Sequence, residues 1–257
     1  MLIALAVFLA AYTASMLMIT VFYHRALAHR AVVLSPRMQR FVFRMGNWVT
    51  GMDPLAWVCM HRAHHVHSDT PEDPHSPVHV GVIGVGMAQL RAYEKTLVGL
   101  ARRKEKYTSL VKDLDGQVHW TNRKGYWWLP HTVHLVLAIT LGFLTTPLIG
   151  AAYLAGILSH PAQGWAVNAL AHTFGRRNFD IDDNSRNNWW VALLVFGEGL
   201  QNNHHRYPAS ARFSVRWHEP ELGWVFVRLF HMLGLLTIRD ESLAPVGLPE
   251  PAAAAAG

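Results

Sequence analysis

The stretch MLIALAVFLAAYTASMLMITVFY, residues 1–23, contains no charged side chain. As a helix it is long enough to cross a hydrocarbon core of roughly 30 Å. A secretory signal peptide is the competing interpretation, but a basic segment before the apolar run and a clear cleavage site are both missing. Arginines mark the cytoplasmic side of a membrane helix, and they follow at Arg25, Arg30, Arg37, Arg40 and Arg44. Residues 1–23 are therefore predicted to span a membrane and to end in the cytoplasm.

The composition favours a membrane protein with a metal site built from imidazoles. Of the 257 residues, 51% are hydrophobic and only 16% are charged. Seventeen histidines accompany a single cysteine, which excludes an internal disulfide framework and any thiolate-rich zinc or iron–sulfur site. The net charge of +6 is what a basic cytoplasmic face produces, and no nucleic-acid partner is predicted.

A second apolar block covers residues 129–172 and is about twice the length of one span. Pro147 and Gly150 lie near its middle, so a tight helical hairpin is predicted, with spans at about 129–149 and 151–172. Together with the first helix, this makes the predicted fold an all-α integral membrane protein. It has about three transmembrane helices and a cytoplasmic helical cap that carries the histidines.

The remaining segments are predicted to belong to one domain, residues 1–243. Residues 41–60 are apolar but carry charges that are costly inside a bilayer, so they are predicted to lie at the interface or to be buried in protein. Residues 87–125 are polar and basic and predict a cytoplasmic helical segment. Residues 221–238 predict an apolar helix, and the Pro- and Ala-rich residues 244–257 predict a disordered tail.

The first histidine motif, HRALAH, places His24 and His29 directly after the first span. Five residues turn about 140° on a regular helix, so these two imidazoles are not expected to share a helical face. They are predicted to serve one site only if the helix ends between them, or else to serve different metals. A basic juxtamembrane segment is the simpler alternative for this motif.

Three further motifs carry imidazoles or amides at helical spacing. HRAHH contains His61, His64 and His65, and QNNHH contains Gln201, His204 and His205; both have i, i+3, i+4 spacing, which places the three side chains on one helical face. NALAH sets Asn168 and His172 one turn apart.

The four motifs together supply eight histidines and two amides, more than the four ligands of one structural zinc. They suit two metals with nitrogen ligands, such as iron, copper or zinc. The other nine histidines show no such pattern and are predicted to be structural or surface residues: His67, His75, His79, His119, His131, His134, His160, His218 and His231.

In order and spacing, four segments of the chain resemble the membrane fatty acid desaturases, specifically the acyl-CoA desaturase-like branch that acts at the ninth carbon. They are FYHRALAHR (22–30), DPLAWVCMHRAHHVHSDTPEDPHSP (53–77), WAVNALAHTFG (165–175) and NNWWVALLVFGEGLQNNHHRYPASARFS (187–214). In that family nine histidines hold two irons and an asparagine contacts one iron through water.

The resemblance implies a role for each matching position. The implied iron ligands are His24, His29, His61, His64, His65, His172, His204 and His205, with Asn168 acting through water. Trp57 and Trp165 would lie along the acyl tunnel, and Glu198 would accept a hydrogen bond from a ligand imidazole.

The sequence departs from the family pattern in three places. Gln201 stands where the ninth histidine is expected; an amide oxygen is a weaker donor, but a working site with a substituted ligand is predicted. The first helix leads directly into the first motif, so the family's usual preceding span is not found. Cys59 stands where animal acyl-CoA desaturases carry an arginine that helps to hold the CoA headgroup, which leaves open whether CoA, a carrier protein or a phospholipid carries the acyl chain.

The implied activity is oxygen-dependent desaturation of a saturated acyl chain, with two iron ions, O₂ as co-substrate and electrons from a separate carrier. That carrier would be a small cytochrome- or ferredoxin-type protein with its reductase. Arg102, Arg103 and Lys104 are candidates to bind an anionic headgroup or an acidic carrier, although a solvated basic face explains them equally well. The predicted location is the bacterial inner membrane, with the active site facing the cytoplasm.

Two other functions remain as alternatives. A membrane di-iron hydroxylase for alkyl or acyl chains would use the same histidines. A membrane metal-binding or transport protein is the non-enzymatic alternative, but such proteins place polar residues inside their spans. Residues 1–23 and 131–158 contain few beyond Ser, Thr, His131 and His134.

Overall fold

Helices make up most of the chain, and one two-stranded sheet joins distant parts of the described residues. The structure is a computed structural model that describes residues 1–242. The predicted tail, residues 244–257, lies outside the described residues.

The elements of the first half are α1 (Leu2–Leu17), the π-helix π1 (Met18–Ala28), β1 (Val32–Leu34), α2 (Pro36–Thr50), α3 (Pro54–His67), α4 (Pro77–Ala101), α5 (Glu105–Thr108), a 3₁₀ turn (Ser109–Val111) and α6 (Trp120–Arg123). Those of the second half are α7 (Leu129–Leu144), α8 (Pro147–Ile157), α9 (His160–Trp165), the π-helix π2 (Ala166–Leu170), α10 (Trp189–Leu194), α11 (Gln201–Arg206), α12 (Leu222–Met232) and β2 (Leu236–Ile238).

The charge-free N-terminal stretch forms a single continuous helix, as predicted. Helices α1 and π1 run together over Leu2–Ala28, and these 27 residues have a mean hydropathy of 2.3 in their most apolar window. Among the described residues this is the helix that is both long enough and apolar enough to cross a membrane. It carries the first histidine motif at its C-terminal end.

The second apolar block forms a helical hairpin, as predicted, but its helices are shorter than expected. The turn lies at Thr145 and Thr146, and Pro147 begins α8. With 16 and 11 residues, α7 and α8 fall below the roughly 20 residues that a full span needs. The helix ends at Ile157, and a new helical stretch, α9 followed directly by π2, begins at His160. Residues 151–172 are therefore divided among three short helical elements and do not form one span.

Helix α3, which carries the HRAHH motif, has a well-formed N-terminus. The Asp53 side chain accepts hydrogen bonds from the backbone N–H groups of Leu55 and Ala56, and Pro54 occupies the first turn. This combination satisfies exposed N–H groups and pre-sets the helical backbone. Asp53 also accepts a 2.6 Å hydrogen bond from the His119 N–H, which ties the helix start to the segment before α6.

Arg62 holds α3 against the end of π1. Its guanidinium donates to the carbonyl oxygens of Leu27 and Ala28, both at 2.9 Å, and to that of Leu110 at 2.8 Å. It also forms an ion pair with Asp113. The first two histidine motifs are thereby fixed relative to each other by backbone contacts.

The two-stranded sheet closes the fold around the same region. Strand β1 follows the first histidine motif and pairs antiparallel with β2, with Val32 opposite Ile238 and Leu34 opposite Leu236. The main buried core lies between π1, α2, α3 and α12. Tyr23 is completely buried there and donates a hydrogen bond to the Met52 carbonyl oxygen.

Candidate metal centre

The two histidines of the first motif lie in the same cluster because the helix that carries them is a π-helix. In π1, hydrogen bonds run from residue i+5 to residue i, as in the 3.0 Å bond from the His29 N–H to the His24 carbonyl oxygen. This pattern brings residues five apart onto one face. Because π1 ends at Ala28 and His29 caps it, the helix ends between the two histidines, which is the condition under which they were predicted to serve one site.

The eight histidines predicted from the motifs fall into two groups, in each of which the nitrogens that could bind a metal lie within 4.8 Å of one another. The five-imidazole group consists of His24, His29, His61, His65 and His204. The three-imidazole group consists of His64, His172 and His205. A third group of possible ligands, His64, Asp73 and His75, shares His64 with the three-imidazole group.

The i, i+3, i+4 motifs are divided between the two groups. In α3, His61 and His65 point to the five-imidazole group and His64 points to the three-imidazole group. In α11, His204 and His205 are divided in the same way. One helical face thus serves two neighbouring centres, and the rings of His65 and His205 are 4.5 Å apart at their centroids.

In the five-imidazole group the Nε2 atoms converge. The distances are 2.7 Å between His29 and His61, 3.0 Å between His24 and His204 and 3.0 Å between His65 and His204. In the three-imidazole group the Nε2 atoms of His64, His172 and His205 are buried and have no hydrogen-bond partner among the described residues. Buried polar atoms are normally paired, so this donor set fits metal ions that prefer imidazole nitrogen.

Carboxylates contact the opposite ring nitrogens. Four Nδ1 atoms lie near a carboxylate oxygen: His24 at 2.6 Å from Glu198, His64 at 2.9 Å from Asp73, His172 at 3.1 Å from Asp69 and His205 at 2.6 Å from Asp183. A carboxylate at Nδ1 keeps the proton there and leaves Nε2 unprotonated, which is the arrangement typical of metal-binding histidines.

Of these four carboxylates, the sequence identified only Glu198. Asp69 and Asp73 stand in HSDTPEDP, four and eight residues after the last histidine of the HRAHH motif. Carboxylates this close in sequence to a histidine motif could have been predicted to contact its imidazoles. Asp183 is 22 residues from His205 along the chain, and no local pattern connects the two.

Burial and these contacts set the protonation states of the site. Burial lowers the pKa of His29, His61, His65 and His204 well below 6.5, and neighbouring imidazoles add to the effect. For Asp73, burial opposes ionisation, but the hydrogen bond and charge of His64 outweigh it and lower the pKa to about 2. The low imidazole pKa values of the five-imidazole group favour metal binding there, because ligand imidazoles must be neutral.

Two amides, Gln201 and Asn168, line a cavity that His64 of the three-imidazole group also lines. Gln201 is buried, and its Nε2 donates a 2.7 Å hydrogen bond to the Glu198 carbonyl oxygen. Asn168, in π2, donates a 3.4 Å hydrogen bond to Gln89. Because both nitrogens are used in this way, the amide oxygens are the atoms that remain to contact a metal or its bound water.

The cavity of about 180 Å³ is lined by His24 and His61 of the five-imidazole group, by His64 of the three-imidazole group and by apolar side chains. Its apolar lining includes Met16, Ile19, Met60, Leu90, Val167 and Val195. Trp57 also lines it and stacks on His61, with ring centroids 4.9 Å apart. Trp165 is not among the lining residues; its indole N–H donates a 2.8 Å hydrogen bond to the Val82 carbonyl oxygen.

The remaining predicted residues lie away from the cavity. Arg102, Arg103 and Lys104 are exposed in the loop after α4. Cys59 is buried, donates to the Tyr107 carbonyl oxygen at 3.3 Å, and has its pKa raised to about 12 by burial. Position 59 is therefore part of the core.

The protein-family comparison matches residues 1–232 to the fatty acid desaturase family. Delta-9 acyl-lipid desaturase 1 of Arabidopsis thaliana is 34% identical over 239 residues, which cover 91% of this chain and 74% of the relative. The sn-1 stearoyl-lipid 9-desaturase of Anabaena variabilis is 33% identical over 220 residues, covering 85% and 77%.

A relative named for a different double-bond position, acyl-CoA 5-desaturase AL21 of Anemone leveillei, is 31% identical over 224 residues, covering 85% of this chain and 65% of the relative. The family match over residues 1–232 contains all four histidine motifs and both imidazole groups. With this coverage, the chain belongs to the fatty acid desaturase family, a family of oxidoreductases.

Proposed function

We propose that this enzyme is an oxygen-dependent acyl desaturase that introduces a cis double bond at the ninth carbon of a saturated chain, using two iron ions. The observation that carries the proposal is the pair of imidazole groups, five and three, at the wall of one largely apolar cavity. The names of the relatives from Arabidopsis thaliana and Anabaena variabilis support the ninth carbon and a membrane lipid as the carrier of the acyl chain.

Each imidazole group would hold one iron. The five-imidazole group would bind its iron through nitrogen alone, and the three-imidazole group would bind the other with help from Gln201 and, through water, Asn168. When bound, the irons would activate O₂, which is the oxidant for the unactivated C–H bonds and is reduced to water with two electrons from the carrier; no amino-acid side chain provides this chemistry.

The protein residues bind and orient the substrate and keep water out. The apolar wall formed by Met16, Ile19 and Val195 would hold the acyl chain, and Trp57, stacked on His61, would fix it beside the five-imidazole group. Because reaction requires the target carbons to be held close to the irons, the shape of this wall would determine the double-bond position. Trp165 would contribute from behind, by holding α9 to α4 through Val82.

We further propose that the protein is integral to a membrane, with three spans and the imidazole groups on the cytoplasmic side of a bacterial inner membrane. Support comes from the helix Leu2–Ala28 and from the exposed Arg37, Arg40 and Arg44 that follow it. Arg25 does not add to that positive face, because it is buried in ion pairs.

Electrons would come from a separate small carrier. The exposed Arg102, Arg103 and Lys104 offer positive charge for docking an acidic carrier or an anionic lipid headgroup.

The test is the fatty acid composition of a bacterial host that expresses this protein together with a ferredoxin- or cytochrome-type electron carrier. Gas chromatography with double-bond location should show a new mono-unsaturated chain with the bond at the ninth carbon. The His204→Ala variant should lose the product, whereas His218→Ala, which removes an exposed imidazole outside both groups, should keep it. A hydroxylated chain in place of the unsaturated one would move the assignment to the hydroxylase.

A further inference from the structure

The two imidazole groups are unequal, and one histidine outside them lies beside the smaller one. His75 is 3% exposed and is located in the loop between α3 and α4. Its ring is nearly parallel to that of His64, with centroids 4.8 Å apart and planes 21° apart. A nitrogen of His75, a nitrogen of His64 and an oxygen of Asp73 all lie within 4.8 Å of one another.

The polar atoms of His75 resemble those of the neighbouring ligand candidates. Its Nδ1 is buried without a hydrogen-bond partner among the described residues, as are the Nε2 atoms of His64, His172 and His205. A buried imidazole nitrogen without a partner is costly, and the stacked rings of His64 and His75 each carry one. His75 also lines the same cavity as Gln201 and Asn168.

The loop holds His75 in this position. The His75 N–H donates a 3.0 Å hydrogen bond to Asp73, the carboxylate that also contacts Nδ1 of His64. Asp73 in turn accepts from the Asp69 N–H at 2.8 Å, and Asp69 accepts from the Ser76 hydroxyl at 2.6 Å. Asp69 is the carboxylate that contacts His172. The same two aspartates therefore position His64, His172 and the backbone of His75.

We propose that His75 is a metal ligand of the three-imidazole group and supplies the nitrogen that the amide Gln201 cannot. This inference rests on the proposed function for the identity of the metal. It restores a fourth imidazole to that group, and the substitution at position 201 then weakens the site less than the loss of a ligand would. His75 was among the histidines that the sequence indicated to be structural.

The alternative role for His75 is packing, in which its ring supports His64 and no nitrogen is required. The His75→Phe variant separates the two, because it keeps an aromatic ring against His64 and removes the nitrogen. The matched control is His67→Phe, which changes a histidine of the same segment that belongs to neither imidazole group. The double variant His75→Phe/Gln201→His returns an imidazole to the group from position 201.

Purified full-length protein, reconstituted with ⁵⁷Fe(II), should be analysed for iron per chain and by Mössbauer spectroscopy. We expect two irons in the original chain and in His67→Phe, about half as much iron in His75→Phe, and recovery toward two in the double variant. Two irons in His75→Phe with unchanged Mössbauer parameters would assign His75 to packing and overturn the proposal. Absence of a desaturated product in the expression test would contradict the proposed function. The iron content of His75→Phe is measured without any product and tests the role of His75 alone.

Discussion

The guanidinium of Arg25 is completely buried and joins the metal centre to the C-terminal part of the chain. It lies 2.6 Å from Glu198 and 3.1 Å from Glu221, and 3.8 Å above the Phe213 ring. Glu198 contacts Nδ1 of His24, so Arg25 orients a ligand candidate through one carboxylate. Burial of charge is tolerated here because every charged group has a partner.

Replacing Arg25 with Met should destabilise the protein strongly, because the buried carboxylates of Glu198 and Glu221 would lose the guanidinium that balances their charge. Breaking a buried ion pair in this way costs about 3–5 kcal/mol. Denaturant unfolding in detergent measures the loss. Arg37→Met, at an exposed position outside the ion pairs of the described residues, should stay within about 0.5 kcal/mol of the original; equal losses in both variants would contradict the role of Arg25.

Replacing Asp183 with Asn should weaken metal binding with little effect on the fold. The 2.6 Å contact with His205 Nδ1 would lose its charge, and loss of such a partner lowers metal affinity about 10- to 100-fold. Iron retained during titration with a chelator measures this. The control is the neighbouring Asp182→Asn, which changes an exposed carboxylate and should retain iron like the original chain. If Asp183→Asn retained iron equally well, the contact with His205 would be dispensable for metal binding.

Helix α8 packs closely against its neighbours through its glycines. It lies against both α1 and α7, and a Cβ atom at Gly156 would come within 2.6 Å of the Phe8 carbonyl oxygen. Small residues at such contacts let two helix backbones approach closely. The position of the first histidine motif depends on this packing, because α1 continues directly into π1.

Gly156→Ala should therefore destabilise the protein by about 1–3 kcal/mol, the usual cost of overpacking. The control is Gly142→Ala in α7, where an added Cβ would meet its nearest neighbour at an ordinary 3.5 Å. That change should be neutral or slightly stabilising, since Ala favours a helix by roughly 0.5–1 kcal/mol over Gly. The measurement is the thermal unfolding midpoint of both variants in detergent. Equal midpoints for Gly156→Ala and Gly142→Ala would show that the close contact at Gly156 does not exist.

For the whole molecule, the collected imidazoles couple stability to pH. The pKa values of His29, His61, His65 and His204 lie well below 6.5 in the folded protein, mainly because of burial. In the unfolded chain these groups take up protons near pH 6.5. Below that pH the unfolded state binds more protons than the folded state, so the free energy of unfolding must fall as the pH falls.

The iron-free protein should therefore have a constant thermal midpoint above about pH 7 and a falling one between about pH 6.5 and 5. The measurement is thermal unfolding with a chelator present. Replacing His29 and His61 with Gln should make the decline shallower, because two of the coupled groups are removed. A midpoint that does not change across this range would mean that the imidazoles are accessible to protons in the folded state.

Local sequence was enough to predict the helix over residues 1–23, the hairpin in the second apolar block and the histidines that form the two groups. The length of a charge-free stretch and i, i+3, i+4 spacing depend only on neighbouring residues. They therefore predict a helix and its faces independently of where the helix lies in the fold. Glu198 was found because its motif matched a known family.

Only the tertiary structure determined how these residues combine. The π-helix that unites His24 with His29 breaks the regular 3.6-residue period on which the sequence argument depended. Helices α3 and α11 each contribute histidines to both imidazole groups, which brings together segments distant in sequence. The same is true of the contact of Asp183 with His205, and a loop holds His75 against His64. Such contacts are set by the packing of whole elements around a shared core, and residue spacing along the chain does not encode them.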